Sequence, residues 1–257
     1  MVLDFSKTNG VATLKFNRPD KFNSFNQKLA FAVQDALKDC ANDDAVRAII
    51  LTGEGKAFCA GQDLAEATDP NGPPLQSIVG KHYNPIIEQI RAIEKPVIAA
   101  VNGVAAGAGA NIALACDIVI AKNSAKFIQA FSAIGLIPDS GGTYFLPRLI
   151  GSQKALALMM TGDRISATEA EQMNMIYKAV EDEGFDAFVS GFVSKIAVMP
   201  TKGLALTKKA VNATFDNSLS EQLALEEKLQ TEAGQTHDFK EGTAAFLEKR
   251  KPEFKGK

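Results

Sequence analysis

Apolar positions follow two periods along this chain, and the two periods divide it into strands and helices. Residues 11–16, VATLKF, alternate apolar with polar and stop shortly before Arg18-Pro19, predicting a strand ended by proline. Over residues 27–40 the spacing changes, and Leu29, Phe31, Val33, Ala36 and Leu37 fall mostly three and four apart, as on one face of a helix. Residues 46–51, VRAIIL, form a continuous apolar run short enough for a buried strand. The glycine-rich stretch 53–63, GEGKAFCAGQD, predicts a loop, followed by a helix over about 76–93 and a strand over 96–101. Strands alternating with helices in this way predict an α/β fold containing several parallel strands. Beyond about residue 200 the strand signal ends. Residues 201–215, 218–235 and 238–249 predict three helices, with Thr201, Ser218 and Asp238 as capping candidates. The chain therefore divides into an α/β core, 1–199, and a helical region, 200–257, of the kind that often mediates self-association.

The stretch 96–121, PVIAAVNGVAAGAGANIALACDIVIA, matches a membrane span in length. It is rich in alanine and glycine and broken by Asn102, Gly103, Asn111 and Asp117, so a buried strand, a turn, a short buried helix and a second strand describe it better. With 257 residues, 46% hydrophobic and 23% charged, the chain can bury a sizeable core, and its net charge of −2 supplies no basic stripe for nucleic acid or polybasic patch for a membrane surface. Cys40, Cys59 and Cys116 are odd in number and lack a CxxC pair, so they read as reduced thiols. The opening residues MVLDFS show no signal-peptide pattern, and a cytoplasmic location is expected.

Several chemistries are excluded by their missing motifs. HExxH, GxSxG and GxxxxGK[ST] do not occur, and two histidines, His82 and His237, leave little for a metal site or a catalytic triad. Gly107-x-Gly109 follows a strand and opens a helix, but the third glycine of a dinucleotide fingerprint would fall at Ile112. Two segments share a design: Phe58-Cys59-Ala60-Gly61-Gln62-Asp63-Leu64, and Asn102-Gly103-Val104-Ala105-Ala106-Gly107-Ala108-Gly109. Each puts small residues in a turn after a buried strand, where backbone N–H groups can point into a cleft. Two such amides converging on one oxygen would make an oxyanion hole. The plainer reading is a pair of tight turns.

Together AFCAGQDL, NGVAAGAG, ACDIVIA and GLIPDSGGT, in this order and spacing, resemble the crotonase (enoyl-CoA hydratase/isomerase) superfamily, and the likeness runs from the NRP near residue 18 to the terminal FLEKRKPEF. The resemblance implies a crotonase-like spiral of ββα units, with the C-terminal helices assembling a homotrimer or a hexamer. It also implies an acyl-CoA substrate, whose coenzyme A is part of the substrate, and neither a separate cofactor nor a metal. The oxyanion hole would be the backbone amides of Gln62 and Ala108. Hydratases of the superfamily use two glutamates, and the matching positions here are Asn111 and Phe131, neither of which moves a proton at neutral pH. Adding water across a double bond needs groups that move protons.

Asp139, in Gly135-Leu-Ile-Pro-Asp-Ser-Gly-Gly-Thr143, matches the catalytic aspartate of members that shift double bonds. Its plainer reading is an N-cap for a helix beginning near Ser140. Desolvation would raise its pKa and a helix N-terminus would lower it, with the balance left open. The details of GAGAN, FIQAFSAIGLIPDSGGTYFLPR and PTKGLALTKKA are most similar to isomerases of bacterial phenylacetate degradation, which turn a ring-fused epoxide into an oxepin and whose relatives shift enoyl double bonds. Ala60, Asp63, Leu64 and Gly107 would line the substrate. Phe131, Tyr144, His82 and Tyr83 would wall an acyl pocket, against a plainer reading of core packing or, for His82, a surface position. Lys249 matches a lysine that reaches coenzyme A phosphate, or else belongs to a solvated charge run. Two alternatives stay open: an enoyl-CoA hydratase, and a non-catalytic CoA-thioester-binding subunit that partners a related hydratase.

Overall fold

The computed structural model describes all 257 residues. The chain begins with β1 (Leu3–Thr8), β2 (Val11–Phe16), α1 (Gln27–Asn42), β3 (Ala48–Gly53) and β4 (Ala57–Cys59). It continues through α2 (Leu64–Ala67), α3 (Leu75–Ser77), a π-helical stretch over Ile78–Tyr83, α4 (Asn84–Ala92), β5 (Val97–Val101), β6 (Val104–Ala106) and α5 (Ala108–Ala115). Next come β7 (Ile118–Lys122), β8 (Lys126–Ile128), α6 (Gly142–Ile150), α7 (Ser152–Thr161), β9 (Arg164–Ser166), α8 (Ala167–Gln172) and β10 (Lys178–Val180). Four helices close the chain: α9 (Phe185–Ala197), α10 (Thr201–Ala213), α11 (Leu219–Gly234) and α12 (His237–Leu247).

The strands form two sheets, ordered β1-β2-β3-β5-β7-β10 and β4-β6-β8-β9. From β3 to β8, consecutive strands alternate between the sheets, and a helix follows β4 and β6 before the chain returns to the larger sheet. That is the expected spiral of ββα units. The larger sheet is parallel from β2 onward, with β1 added as an antiparallel hairpin. Asn9 and Gly10, both at positive φ, make its two-residue turn.

The helix expected over 27–40 forms because Leu29, Ala30, Val33, Ala36, Leu37 and Cys40 share one face, all buried, and the Asn26 side chain caps it at the Leu29 amide. Burying each leucine stabilises the fold by roughly 1.5–3 kcal/mol. This face packs into the main core on one side of the large sheet, while Phe185, Val189 and Val193 of α9 cover Ala48, Ile98 and Ile120 on the other. The membrane-length stretch 96–121 is β5, β6, α5 and β7, and no helix is long and apolar enough to cross a membrane.

Several local expectations need correction. The loop expected over 53–63 contains β4, only three residues long, and β1 precedes the first strand expected. Ser218 caps α11 in a capping box with Glu221, as expected. Thr201 instead stands inside α10 after Pro200, and its hydroxyl is bonded by Arg47 rather than capping the helix. Thr236, not Asp238, caps α12. Asp238 is buried and accepts from the amides of Lys255 and Gly256 at 2.7 and 2.6 Å, so its carboxylate anchors the C-terminal tail.

Candidate active site

Two turns approach each other where β4 and β6 end. Gly109, in the first turn of α5, lies so near β4 that a Cβ there would come within 2.3 Å of the Cys59 carbonyl oxygen. A Cβ on Gly61 would stand 3.6 Å from the Ala108 nitrogen. The Gln62 turn and the head of α5 are therefore in van der Waals contact, a closeness that only residues lacking a side chain permit. Gly107 turns the chain into α5 at φ 53° and ψ −128°, a conformation closed to residues with a Cβ. Ala108 is then the first residue of α5, where amides have no partner inside the helix, and no side chain caps it. The Gln62 amide donates to no backbone or side-chain acceptor.

The Gln62 turn is braced on both sides. Phe25 brackets it, its amide donating to the Gly61 carbonyl at 2.7 Å and its carbonyl accepting from the Asp63 amide at 2.8 Å. The Asp63 side chain accepts from the Ala65 amide at the start of α2 and pairs with Arg18 at 2.7 Å. Burial works to raise the Asp63 pKa, but the Arg18 guanidinium outweighs it and holds the carboxyl below its ordinary value.

Asp139 is fixed by its own carbonyl. That oxygen accepts from the Gly142 amide at 2.9 Å and from Nδ2 of Asn111 at 2.8 Å. Asn111, on α5, is fully buried, and its Oδ1 in turn accepts from Nε2 of Gln129 at 2.8 Å. The residues after Asp139 turn sharply: Ser140 and Gly141 have φ 51° and 74°, and Ser140, buried and not glycine, stores strain there. The Ser140 hydroxyl donates to the Asp139 carboxylate at 2.9 Å. Gly141 occupies the N-cap of α6 and no side chain caps that helix, so the capping reading of Asp139 is wrong. Burial pushes the Asp139 carboxyl above its ordinary value, the Ser140 hydroxyl offsets only part of the rise, and no cation is among the groups that act on it. Desolvation wins the balance that the sequence left open.

Phe131 is buried with its ring 3.8 Å from where a Gly107 Cβ would be, so it packs over the turn that leads to Ala108. Tyr83 is fully buried and donates from its hydroxyl to Oε1 of Gln62 at 2.8 Å. Ala60 follows β4, donating its amide to the Phe22 carbonyl, and Leu64 is exposed at the start of α2. Other expected residues have surroundings of their own. Tyr144 stacks on the Arg148 guanidinium, 3.6 Å from the ring centroid, in a surface cavity of about 550 Å³ whose lining includes Arg91 and Phe215 but neither Asp139 nor the two amides. His82 is buried, not a surface residue, and meets Phe31 of α1 edge-on with its Nδ1 unpartnered. The Asp63 carboxylate, engaged by Arg18, is a brace for the loop. Lys249 is exposed at φ 56° beyond α12, next to Arg250, which is engaged by Glu241 and Glu248.

Sequence reasoning missed the Asn111–Gln129 pair and the Arg18 brace. The signal was available for the pair. Asn111 is the one polar side chain in AGANIALA, and Gln129 is flanked by Phe127-Ile128 and Ala130-Phe131. A lone polar residue inside an apolar run has to find partners once buried.

A family model described as enoyl-CoA hydratase/isomerase matches residues 6–257. Among curated relatives, the 1,2-epoxyphenylacetyl-CoA isomerase of Escherichia coli K12 is 47% identical over 251 residues, 96% of each chain. The mitochondrial enoyl-CoA hydratase of Pongo abelii is 39% identical over 249 residues, 97% of this chain and 85% of its own. The crystal structure of an enoyl-CoA hydratase from Bacillus anthracis superposes with a TM-score of 0.93 at 34% identity, covering 100% of both chains.

Proposed function

Because the chain belongs to the enoyl-CoA hydratase/isomerase family, we propose that it isomerises acyl-CoA thioesters with Asp139 as its proton carrier and the Gln62 and Ala108 amides as its oxyanion hole. The observation that carries this reading is the state of Asn111. It stands where hydratases of the family place a glutamate, it is fully buried, and both ends of its amide are committed to Asp139 and Gln129. Gly142 packs against it so closely that a Cβ there would come within 2.3 Å of Nδ2. A longer, ionised side chain has no room in this setting and could accept from Gln129 but not donate to the Asp139 carbonyl. Phe131, at the second glutamate position, is hydrocarbon.

Asp139 remains as a desolvated carboxylate of raised pKa, suited to accept a proton and to return it. Its oxygen takes a proton from the carbon next to the thioester. The C–H electron pair moves into the thioester, and the charge settles on the oxygen held by the two amides. The protonated Asp139 then delivers the same proton to the far carbon, the double bond moves one position, and no atom is gained or lost. The 47% identical epoxyphenylacetyl-CoA isomerase supports an aromatic, ring-epoxide acyl group as the natural substrate, with Δ3,Δ2-enoyl-CoA isomerisation as a second activity. The exposed Phe215, Leu219, Phe239, Phe246 and Leu247 of the C-terminal helical region support self-association into a trimer or hexamer, with Lys249 carried toward a neighbouring subunit's coenzyme A.

The test is turnover of epoxyphenylacetyl-CoA and a 3-enoyl-CoA, beside hydration of crotonyl-CoA, in wild type and Asp139→Asn. The proposal requires isomerisation to dominate and to fall by about 10²–10⁴ in the variant, with thioester binding kept. Dominant hydration would replace it with the hydratase reading, and binding without turnover would make the chain a partner subunit.

A further inference from the structure

We propose that Tyr83 is a positioning residue for the oxyanion hole, acting through the Gln62 side chain; this rests on the isomerase reading above. Gln62 is useful to that reading only through its backbone amide, yet its side chain is bound at both ends. Oε1 accepts from the Tyr83 hydroxyl at 2.8 Å, and Nε2 donates to Oε2 of Glu66 at 3.1 Å. Glu66 is itself anchored, both carboxylate oxygens accepting from the Gln27 amide at 3.0 and 3.1 Å. Gln27 is the first residue of α1, so the carboxylate also sits at the positive end of that helix. The chain of contacts runs from a buried phenol, through Gln62, to the exposed first turn of α1.

The local backbone is shaped to place that phenol. Tyr83 ends the stretch Ile78–Tyr83, where the helix widens to π geometry between α3 and α4. Such widened turns are uncommon and redirect the side chains at their ends. Tyr83 is fully enclosed, its ring 5.8 Å from that of Phe25, the residue whose backbone brackets Gln62. Two constraints thus meet on one residue: Phe25 holds the Gln62 backbone, and Tyr83 with Glu66 fixes the rotation of its side chain. An oxyanion-hole amide stabilises the developing charge only if it is already aimed when the charge appears. Burial drives the Tyr83 hydroxyl far above its ordinary pKa, so it stays a neutral donor throughout the working range.

The test uses Tyr83→Phe, Gln62→Ala and the double variant, with two readouts: steady-state turnover of a 3-enoyl-CoA, and the infrared carbonyl stretch of a bound, ¹³C-labelled enoyl thioester. Tyr83→Phe is expected to lower kcat about ten- to hundredfold with KM nearly unchanged, as a mis-aimed group does. It is also expected to lose part of the carbonyl shift seen in wild type. In the Gln62→Ala background the same change should add almost nothing, since the intermediary is gone. Additive losses in the double variant, or an unaltered carbonyl shift in Tyr83→Phe, would reduce Tyr83 to a packing residue and overturn the proposal. A wild-type enzyme with no carbonyl shift would remove the oxyanion-hole reading first and this one with it.

Discussion

Replacing Asn111 by glutamate restores the side chain that hydratases of the family carry, and the structure predicts that the protein will be destabilised rather than converted. Three penalties combine. The extra methylene enters a fully buried site where Gly142 already touches the amide, and overpacking of this kind costs about 1–3 kcal/mol. A carboxylate cannot donate to the Asp139 carbonyl, so the 2.8 Å bond from Nδ2 becomes a repulsive contact between oxygens, and a buried bond lost in that way costs about 1–3 kcal/mol. The neutral acid, which burial favours, could keep a bond to that carbonyl through its O–H, but it is not the ionised form that a general base needs. The first two penalties together come to roughly 2–6 kcal/mol. At about 2–4 °C per kcal/mol for a chain of this size, the melting temperature should fall by roughly 4–24 °C. Isomerase turnover should fall with it, because Asp139 loses one of the two bonds on its carbonyl. The assay is thermal unfolding by circular dichroism with crotonyl-CoA hydration and 3-enoyl-CoA isomerisation measured in parallel. A variant that melts within about 2 °C of wild type and hydrates crotonyl-CoA efficiently would refute the argument that this site has no place for a second acid.

The Asp139 carboxyl titrates above its unfolded value of 3.8, so its ionisation disfavours the fold at neutral pH and does not at pH below that value. Asp139→Asn should therefore raise the melting temperature at pH 7 while cutting turnover by the factor given above, and the gain should vanish in acid; a loss of stability at pH 7 would contradict the desolvation account. In wild type, the acid limb of kcat/KM should lie above 3.8, measurable in a pH–rate profile. The Arg18–Asp63 pair, with side chains 15% and 13% exposed, is buried enough that Arg18→Ala should cost about 3–5 kcal/mol at pH 7. Since Asp63 titrates below its ordinary value in the fold, that cost should shrink as pH falls through the carboxylate range, read as converging urea midpoints of variant and wild type. Gly107→Ala meets only the Phe131 ring at 3.8 Å but holds alanine at φ 53°, so strain of about 1–3 kcal/mol should appear with a loss of turnover as Ala108 rotates.

How far the sequence could be read depended on the length scale of each signal. Helix α1 carries its apolar face over sixteen residues, and β2 alternates over six, so both stand out in the periodicity. Strand β4 has three residues in a glycine-rich stretch and offers no period to find. The same limit applies to the site. The turns that carry Gln62 and Ala108 were legible because each lies in a local motif, Gly61 and Gly107 announcing them by their type. What sets the character of Asp139 is not local. Its carbonyl is tied to Asn111, 28 positions earlier, and Asn111 to Gln129, 18 positions away, so neither partner can be recognised from its own neighbours. Spacing could suggest that Asn111 had replaced a glutamate. The packing shows what an amide does at this position: it donates to one carbonyl while accepting from a second amide, and a carboxylate cannot. On the proposed isomerase reading, the missing acid is then an exchange of roles at one position: the proton chemistry would fall to Asp139, and Asn111 holds the Asp139 carbonyl in place.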